Sequence, residues 1–405
     1  MADNKDKKVL NVPALRFPEF IKSWECSILE KLSKKIGDGI HSTPSYDDNG
    51  TFYFINGNNL NGGKIVITSS TKRVSEKEAY KNNAENLEAN SILMSINGTI
   101  GNVALYHNEP IMLGKSACYI NSKDNIDKNY LFYYLQYPKT QLYFEAELTG
   151  TTIKNLSLQS IRKTKIYIPT IEEQHKISRF LQKIDERIST QNKIIEKYES
   201  LIQAIIYKEK MDGISKGTWQ RIALCKVLQE RNEKNVNGRT ICSVSVSQGV
   251  VNQVEYLGRS FAAKQTSHYN IVKYGDIVYT KSPTGNFPYG IIKRSNIRED
   301  VAVSPLYGVY IPASDSIGVF LHFYFMQPSN AFNYLHPLIQ KGAKNTINIT
   351  NGRFLENSVL LPISKSEANT IAGILKTIQA KIEIGKNLLQ SYTKEKEYLL
   401  RQMFI

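Results

Sequence analysis

Two long heptad patterns, separated by about 194 residues, constrain the fold of this chain more than any other feature. In each pattern, apolar residues recur at alternating steps of four and three. The predicted seam of the first pattern is Ile177, Leu181, Ile184, Ile188, Ile195, Tyr198 and Ile202, and that of the second is Ile371, Leu375, Ile378, Ile382, Leu389 and Tyr392. A 3.5-residue apolar period kept over about four heptads is typical of a coiled coil. Because one chain carries two copies, it is predicted to pair with itself.

Three residues interrupt these seams, namely Gln191, Gly385 and Lys396. The simpler interpretation is local access of water or looser packing. The sharper interpretation is a fixed register between the helices, or a notch where a partner docks. The sequence leaves both open.

The segments that precede the two helices also repeat. Trp24 and Trp219 begin similar stretches, residues 129–135 are similar to 320–326, and a proline stands shortly before each helix. A long period with only two copies indicates a duplicated domain pair, since a solenoid needs at least three short repeats. If a pseudo-twofold axis relates the copies, the helices run antiparallel.

We therefore predict an α+β fold with two mixed α/β globular domains separated by a two-helix antiparallel coiled coil. The predicted boundaries are a lead-in at 1–17, a first domain at 18–168, a first long helix at 169–210, a second domain at 211–361 and a second long helix at 362–405. Within the domains, helices are expected at 24–35, 128–137 and 317–327, and strands at 51–55, 64–68, 91–96, 102–106, 276–281 and 290–293.

Charge and cysteine usage narrow the class of protein. The chain carries 52 Lys and Arg against 37 Asp and Glu, a formal net charge of +15, which favours a polyanionic partner, nucleic acid before a membrane surface. Its four cysteines form no CxxC pair, so neither a zinc site nor a disulfide framework is indicated. The sequence shows no signal peptide and no apolar run long enough for a membrane span, and a cytoplasmic location is expected.

No catalytic signature is convincing. The tripeptide at 114–116, GlyLysSer, resembles the end of a phosphate-binding loop, but Glu109 stands where the earlier glycine is needed. The acid pair Glu172 and Glu173 is expected to complement a helix dipole, and His175 is expected to be solvated. No metal-ligand spacing or nucleophile–base pair is found, so the chain is predicted to be non-catalytic.

The repeat, the charge and several short motifs together resemble the DNA specificity subunit of type I restriction-modification enzymes, over essentially the whole chain. The first unit contributes ValProAlaLeuArgPheProGluPhe at 12–20, GlyAspGlyIleHisSerThrPro at 37–44, SerIleAsnGlyThrIleGly at 95–101 and ThrGlyThrThrIleLysAsnLeu at 149–156. Further marks are IleProThrIleGluGluGlnHisLysIle at 168–177 and the terminal LeuLeuArgGlnMetPheIle.

The resemblance implies that each globular unit is a target-recognition domain that reads one half of a split, asymmetric site in double-stranded DNA. It also implies that the helices are a spacer on which two methyltransferase subunits dock, followed by the restriction and translocation subunits. No cofactor is expected in this chain, whereas S-adenosylmethionine, ATP and Mg²⁺ are implied for the partner subunits. The second unit departs from the pattern, with SerProThrGlyAsn at 282–286 and AlaLysAsnThrIle at 343–347. The two half-sites are therefore expected to differ.

Loops at strand ends allow small hydroxyls, amides and backbone N–H groups to approach base edges. The candidate base-contacting residues are His41, Ser42, Thr43, Asn97, Gly98, Thr99, Thr151, Thr152 and Lys154 in the first unit, and Lys281, Ser282, Thr284, Asn286, Lys344, Asn345 and Thr346 in the second. The candidate phosphate contacts, which position the protein without reading sequence, are Lys72, Arg73, Lys115 and Lys264.

Two other classes of protein compete with this interpretation. One is a self-contained DNA methyltransferase or nuclease with an unrecognised active site, for which activity of the purified chain alone would argue. The other is a coiled-coil adaptor that binds only proteins, which would leave the net charge of +15 without a role. Failure to bind DNA even with its partners present would favour the adaptor.

Overall fold

The computed structural model describes residues 11–82, 84–150, 154–260, 262–263, 265–341 and 347–405. The chain divides into two compact units. The first comprises residues 1–190 and 389–405, and the second comprises residues 191–388. Each of the two long helices therefore contributes one part to the first unit and another part to the second.

The first unit is a mixed α/β structure. Its strands are β1 (Glu25–Ile28), β2 (Ser33–Asp38), β3 (Phe52–Ile55), β4 (Leu60–Asn61), β5 (Lys64–Ile65), β6 (Arg73–Val74), β7 (Ser91–Ser95), β8 (Val103–Leu105), β9 (Ile111–Leu113), β10 (Ala117–Ser122) and β11 (Lys165–Ile168). Its helices are α1 (Leu29–Leu32), α2 (Glu76–Lys81), α3 (Lys128–Leu135), α4 (Pro138–Ala146), α5 (Leu158–Arg162) and the first part of α6 (Ile171–Lys216).

An antiparallel sheet of order β2-β10-β7-β8 forms the centre of the first unit. Every residue of β7 and β10 is buried, as expected for strands covered on both faces. A second sheet, β6-β3-β9, pairs β3 with β9 in parallel and with β6 antiparallel. Aromatic side chains of α3 complete the core, where Tyr130 and Tyr134 pack against Phe404.

The helix predicted at 24–35 is wrong for most of its length. The structure has a strand, the four-residue helix Leu29–Leu32 and a second strand. Glu25 pairs with Ile168, and Ile36 pairs with Ile120. These long-range pairings override local helix propensity, which is a weak preference. The strand predicted at 64–68 is likewise reduced to Lys64–Ile65.

The second unit repeats this plan. Its strands are β12 (Trp219–Ala223), β13 (Leu228–Glu230), β14 (Cys242–Ser245), β15 (Gly249–Asn252), β16 (Asn270–Val272), β17 (Ile277–Tyr279), β18 (Ile292–Arg294), β19 (Val301–Val303), β20 (Gly308–Pro312), β21 (Gln340–Lys341), β22 (Ile347–Asn348) and β23 (Ser358–Pro362). Its helices are α7 (Gln253–Leu257), α8 (Asp315–Phe325), α9 (Pro328–Leu335), α10 (Asn351–Phe354) and part of α11 (Lys365–Gln402). The sheet of order β13-β20-β17-β18 corresponds to the central sheet of the first unit.

The structure corrects the register of the repeat by one residue. Pro138 begins α4 and Pro328 begins α9, a spacing of 190 residues. At the same spacing, Tyr130 packs edge-on against Trp24, and Phe320 packs edge-on against Trp219. The similarity between 129–135 and 320–326 therefore aligns correctly only after a shift by one.

The two long helices are confirmed, with 46 residues in α6 and 38 in α11. Most seam positions are buried: Ile177, Leu181, Ile184, Ile195, Ile202, Ile371, Leu375, Ile378 and Ile382. Ile188, Tyr198, Leu389 and Tyr392 are partly buried. In the first unit Lys396 pairs with Asp185 at 2.7 Å, and in the second unit Lys386 pairs with Glu199 at 3.2 Å.

Packing at the seam interruption is tight. A Cβ atom added to Gly385 would lie 2.8 Å from Nε2 of Gln191 and 3.2 Å from Cγ1 of Ile195. Gln191 itself is buried. The interpretation as looser packing or water access is therefore wrong at Gly385, and the contact favours a fixed register.

The first turn of α6 differs from expectation. Glu172 behaves as predicted, since the backbone N–H of the helix start and the Thr170 hydroxyl hold the pKa of its carboxyl below the usual value. Glu173 is buried and takes part in a separate contact described below. His175 is half exposed, with Nε2 3.9 Å from Oδ2 of Asp127. Within the part of the chain that the structure describes, no helix combines the length and apolar character that a membrane crossing needs.

Candidate nucleic-acid interface

In the first unit, four segments predicted to contact DNA lie side by side. The backbone N–H of Ile40 donates to the carbonyl of Leu113 at 2.9 Å, which sets the 41–43 loop beside the 114–116 loop. Nδ2 of Asn97 donates to the carbonyl of Lys115 at 3.0 Å. The N–H of Gly98 donates to the carbonyl of Lys154 at 3.4 Å. One chain of hydrogen bonds thus joins loops that are far apart in sequence.

These loops present polar groups to solvent. Ser42, Thr43, Thr99, Lys115 and Lys154 are exposed. Exposed hydroxyls and ammonium groups at adjacent loop ends can reach base edges or phosphate oxygens without rearrangement of the core.

Backbone geometry and side-chain pairing fix two positions within these loops. Gly98 has φ +74°, and nothing lies within 4 Å of a Cβ added there, so the position needs glycine for its backbone conformation. His41 is exposed and lies 2.8 Å from Oδ2 of Asp38 through Nε2. The His41 ring is therefore oriented by the loop itself.

The GlyLysSer tripeptide at 114–116 has a structural role. A Cβ on Gly114 would lie 2.4 Å from Oδ1 of Asn56. The Ser116 hydroxyl donates to that same oxygen at 2.9 Å and accepts the N–H of Gly57 at 2.9 Å. These contacts fasten two loops together, while Lys115 between them stays exposed.

A second group of residues pairs cations with aromatic rings. Arg73 lies 4.9 Å from the ring centroid of Tyr53 and donates to its hydroxyl at 3.3 Å. Lys72 lies 5.8 Å from the ring centroid of Tyr46, which is itself exposed. The strand pairing of β3 with β6, with Tyr53 opposite Arg73, produces this arrangement. Sequence reasoning found the two cations but missed the tyrosines, whose only signal is the aromatic-rich strand β3.

In the second unit, the candidate residues at 281–286 form an exposed loop between β17 and β18. Thr284 and Phe287 exchange backbone hydrogen bonds of 3.0 Å, which closes a turn with Gly285 at φ +52°. Ser282, Thr284 and Asn286 are exposed. Lys281 is partly buried, and this burial lowers the pKa of its ammonium group.

An aromatic cluster follows this loop and was missed by the sequence analysis. Tyr289, Phe332 and His336 have mutual ring distances of 5.3, 5.8 and 5.1 Å, and Phe332 stacks on His336. Phe332 and His336 are exposed. The helical spacing of four between them was the available signal. Exposed rings of this kind can stack on bases or sugars.

Six candidate residues lie outside the described residues. They are Thr151, Thr152, Lys264, Lys344, Asn345 and Thr346. Their assignment stays a prediction from sequence.

Each unit also contains a buried indole–carboxylate contact. Nε1 of Trp24 donates to Oε1 of Glu173 at 3.3 Å, and Arg16 donates to both oxygens of Glu173 at 2.8 Å. In the second unit, Nε1 of Trp219 donates to Oε1 of Glu367 at 2.7 Å. These contacts attach each mixed α/β region to the start of the helix that follows it. Across the described ranges, no cluster of three or more His, Cys, Asp or Glu side chains is placed to hold a metal ion.

Comparison with known proteins agrees with this geometry. Residues 22–200 match the family of the type I restriction modification DNA specificity domain. The type I restriction enzyme MjaIX specificity subunit of Methanocaldococcus jannaschii is 24% identical over 239 residues, which are 54% of this chain and 55% of that protein. The chain thus spans about half the length of this relative.

Two further similarities cover more of the chain. A provisionally named type I specificity subunit of Mycoplasma genitalium is 22% identical over 81% of this chain and 84% of its own length. The crystal structure of the S subunit of a type I restriction-modification system from M. genitalium has a TM-score of 0.61 at 16% identity, covering 97% of this chain and 99% of that chain. The latter similarity establishes a shared fold.

Proposed function

The chain carries a type I restriction modification DNA specificity domain at residues 22–200, and on this basis we propose that it is the DNA-reading subunit of a type I restriction-modification complex. It reads a two-part, asymmetric site in double-stranded DNA and directs methyltransferase and restriction subunits to that site. It catalyses no reaction itself, acts in the cytoplasm, and leaves S-adenosylmethionine, ATP and Mg²⁺ to the partner subunits. The observation that carries the proposal is the hydrogen-bonded row of exposed loops in the first unit.

In the first unit, base reading and phosphate contact fall to different residues. Thr43, Asn97 and Thr99 supply the short polar side chains that approach base edges. Lys72 and Arg73 supply charge beside the rings of Tyr46 and Tyr53, where a phosphate and its sugar are held together. Sequence discrimination and overall affinity can therefore be altered separately.

The second unit reads a different half-site. Its exposed loop carries Ser282, Thr284 and Asn286, and the neighbouring cluster of Tyr289, Phe332 and His336 has no counterpart among the candidates of the first unit. Different side chains on a repeated scaffold select different bases. The proposed site is therefore asymmetric.

Selection of DNA from a random-sequence pool tests this proposal. The chain is mixed with its methyltransferase subunit, and bound DNA is sequenced against a pool selected by the methyltransferase alone. A two-part motif found only with both proteins supports the proposal. Absence of any motif although a complex forms would favour the protein adaptor. Methylation or cleavage by the purified chain alone would favour a self-contained enzyme.

The long helices supply the proposed docking positions for the methyltransferase. Ile194 on α6 and Leu388 on α11 are exposed at 41% and 40%, and they lie 194 residues apart, which is the helix repeat. Phe180 and Ile374, also exposed, have the same spacing. Repeated apolar positions on a duplicated sequence suit two copies of one partner.

Native mass spectrometry of the assembled complex tests this assignment. Ile194→Asp and Leu388→Asp place a charge within the apolar positions, and each single variant is expected to lose one methyltransferase copy. Lys183→Asp, on an exposed position of the same helix α6, is the matched control. Full occupancy in both apolar variants would remove these positions from the interface.

A further inference from the structure

The second unit contains a cavity of about 700 Å³ that none of the proposed roles uses. It lies between the parts of α6 and α11 that belong to this unit and the residues of β18, α8 and the turn between β14 and β15. Its buried side includes Lys293 and His322, which are 3% and 9% exposed. Its exposed side includes Glu196, Glu199 and Glu383. A volume of this size is that of a small-molecule site.

Lys293 is an unusual residue for this position. Among the residues that the structure describes, none forms a hydrogen bond or ion pair with its ammonium group. Burial lowers the pKa of Lys293 to about 8. A buried cation without a partner is costly, so the fold alone does not explain this lysine.

His322 adds a second donor to the same side. Its Nδ1 accepts the backbone N–H of Arg294 at 3.1 Å, which assigns the proton to Nε2. Burial, together with the charges of Lys293 and Arg294, lowers the pKa of His322 to about 3, so the ring is neutral. The cavity is therefore lined by an ammonium group and by an imidazole whose second nitrogen donates.

The first unit shows that the fold does not require these groups. Lys293 lies opposite Val278 in the β17–β18 pair, and Ala104 lies opposite Leu93 in the corresponding β7–β8 pair. Phe132 is 190 residues before His322, the spacing that relates the two helices. At equivalent positions the first unit thus has alanine and phenylalanine, both buried.

The helices supply the opposite chemistry. Oε1 of Gln203 is buried and has no hydrogen-bond partner among the described residues. Glu199 is paired with Lys386, and Glu383 accepts a hydrogen bond from Gln379, whereas Glu196 adds a carboxylate without a printed counter-ion of this kind. An occupant must therefore accept hydrogen bonds at one end and donate them at the other.

We propose that this cavity binds a small zwitterion of the α-amino acid class, with its carboxylate on Lys293 and His322 and its ammonium group toward Gln203 and Glu196. A carboxylate gives Lys293 the counter-ion that it lacks, and the two donors match its two oxygens. Phosphate offers the same oxygens but carries more negative charge and no donor for Gln203. The glutamates that line the cavity disfavour such an anion.

Thermal unfolding and calorimetry of the full-length chain test the assignment without DNA. The twenty L-amino acids and inorganic phosphate are the probes. At least one amino acid is expected to raise the Tm, since a ligand that binds only the folded state stabilises it. Lys293→Met and His322→Phe are each expected to weaken binding about tenfold or more, because a hydrogen bond to a charged group is lost. Lys226→Met, an exposed lysine of the same unit, is the control.

Chemical modification of the wild-type chain gives a readout that does not depend on variants folding. Limited acetylation followed by peptide mass spectrometry is expected to show Lys293 protected by the amino acid that raises the Tm, and Lys226 unprotected. No binding of any amino acid would overturn the proposal. Stabilisation by phosphate alone, or amino acid binding that survives in Lys293→Met, would overturn it equally. Each outcome is independent of DNA recognition by the complex.

Discussion

The indole N–H of Trp219 donates to Oε1 of Glu367 at 2.7 Å, and the first unit repeats this contact between Trp24 and Glu173. In both units the tryptophan stands at or just before the first strand, and the glutamate lies in the first turn of a long helix. The contact attaches the beginning of the mixed α/β region to the helix that follows its last strand. It is the repeat of the sequence expressed as a repeated hydrogen bond.

The two glutamates are predicted to differ in their contribution to stability. Glu173 is 1% exposed and pairs with Arg16, whereas Glu367 is partly exposed. Glu173→Gln is expected to cost about 3 kcal/mol, because it leaves a buried guanidinium without a counter-ion. Glu367→Gln is expected to cost about 1 kcal/mol, since the amide oxygen still accepts the indole N–H.

Urea unfolding of single-tryptophan variants measures this difference. The chain has two tryptophans, one in each unit, so Trp219→Phe leaves Trp24 as the reporter of the first unit and Trp24→Phe leaves Trp219 as the reporter of the second. Equal losses for the two glutamate variants would contradict the different burial of their carboxylates.

Two glycines of α11 form a second matched pair. A Cβ at Gly385 would lie 2.8 Å from Gln191, whereas nothing lies within 4 Å of a Cβ at Gly373. Gly373→Ala is expected to stabilise the second unit by about 1 kcal/mol through helix propensity. Gly385→Ala is expected to destabilise it by about 1–3 kcal/mol through overpacking. Unfolding followed at Trp219 measures both, and stabilisation by Gly385→Ala would disprove the close helix contact.

The sequence predicts the long-range periodic features of this fold better than its local pairings. The heptads predict both long helices, and the apolar patterns at 128–137 and 317–327 predict α3 and α8. The segment 24–35 fails because strand partners near Ile120 and Ile168 decide its structure. Periodicity is a property of one segment, whereas pairing depends on distant residues.

The candidate site follows the same division. Small polar residues in Gly-rich loops identify the 97–99 and 282–286 segments, because their composition marks turns. Their convergence with Lys115 and Lys154 depends on sheet order, which no local pattern contains. Similarly, Tyr53 comes to lie against Arg73 only through the pairing of β3 with β6.

His322 is predicted to make the second unit sensitive to acid. The pKa of His322 is lowered from 6.5 to about 3, so between these values the unfolded chain binds a proton that the folded chain does not. Stability from this residue is therefore present above pH 6.5 and falls by about 1.4 kcal/mol per pH unit as the pH decreases through that window.

The pH dependence of the urea midpoint at Trp219 measures this effect. His322→Phe is expected to flatten the curve between pH 6.5 and about 3, whereas the exposed His41, substituted by Asn, is expected to leave it unchanged. A wild-type slope that persists in His322→Phe would assign the acid sensitivity to other groups.

DNA binding by the complex is predicted to separate two kinds of contact in the first unit. Arg73→Ala is expected to weaken binding to all sequences and to reduce the salt dependence by the equivalent of about one phosphate contact. Thr99→Ala is expected to change discrimination at one half-site by about 1–3 kcal/mol and to leave the salt dependence unchanged. Fluorescence anisotropy over a range of salt concentrations measures both, with Lys226→Ala as the exposed control. Identical behaviour of the two variants would reject the division of roles.

Single-molecule sequencing of DNA from a methylation-deficient host tests the central claim most directly. The host expresses the chain with its methyltransferase subunit, and a parallel culture expresses the methyltransferase alone. The account predicts a new two-part, asymmetric methylated motif only when both are present. It further predicts that Thr99→Ala alters the bases of one half and that Thr284→Ala alters those of the other. A stable complex that produces no new motif, or a motif in which both substitutions alter the same half, would contradict it.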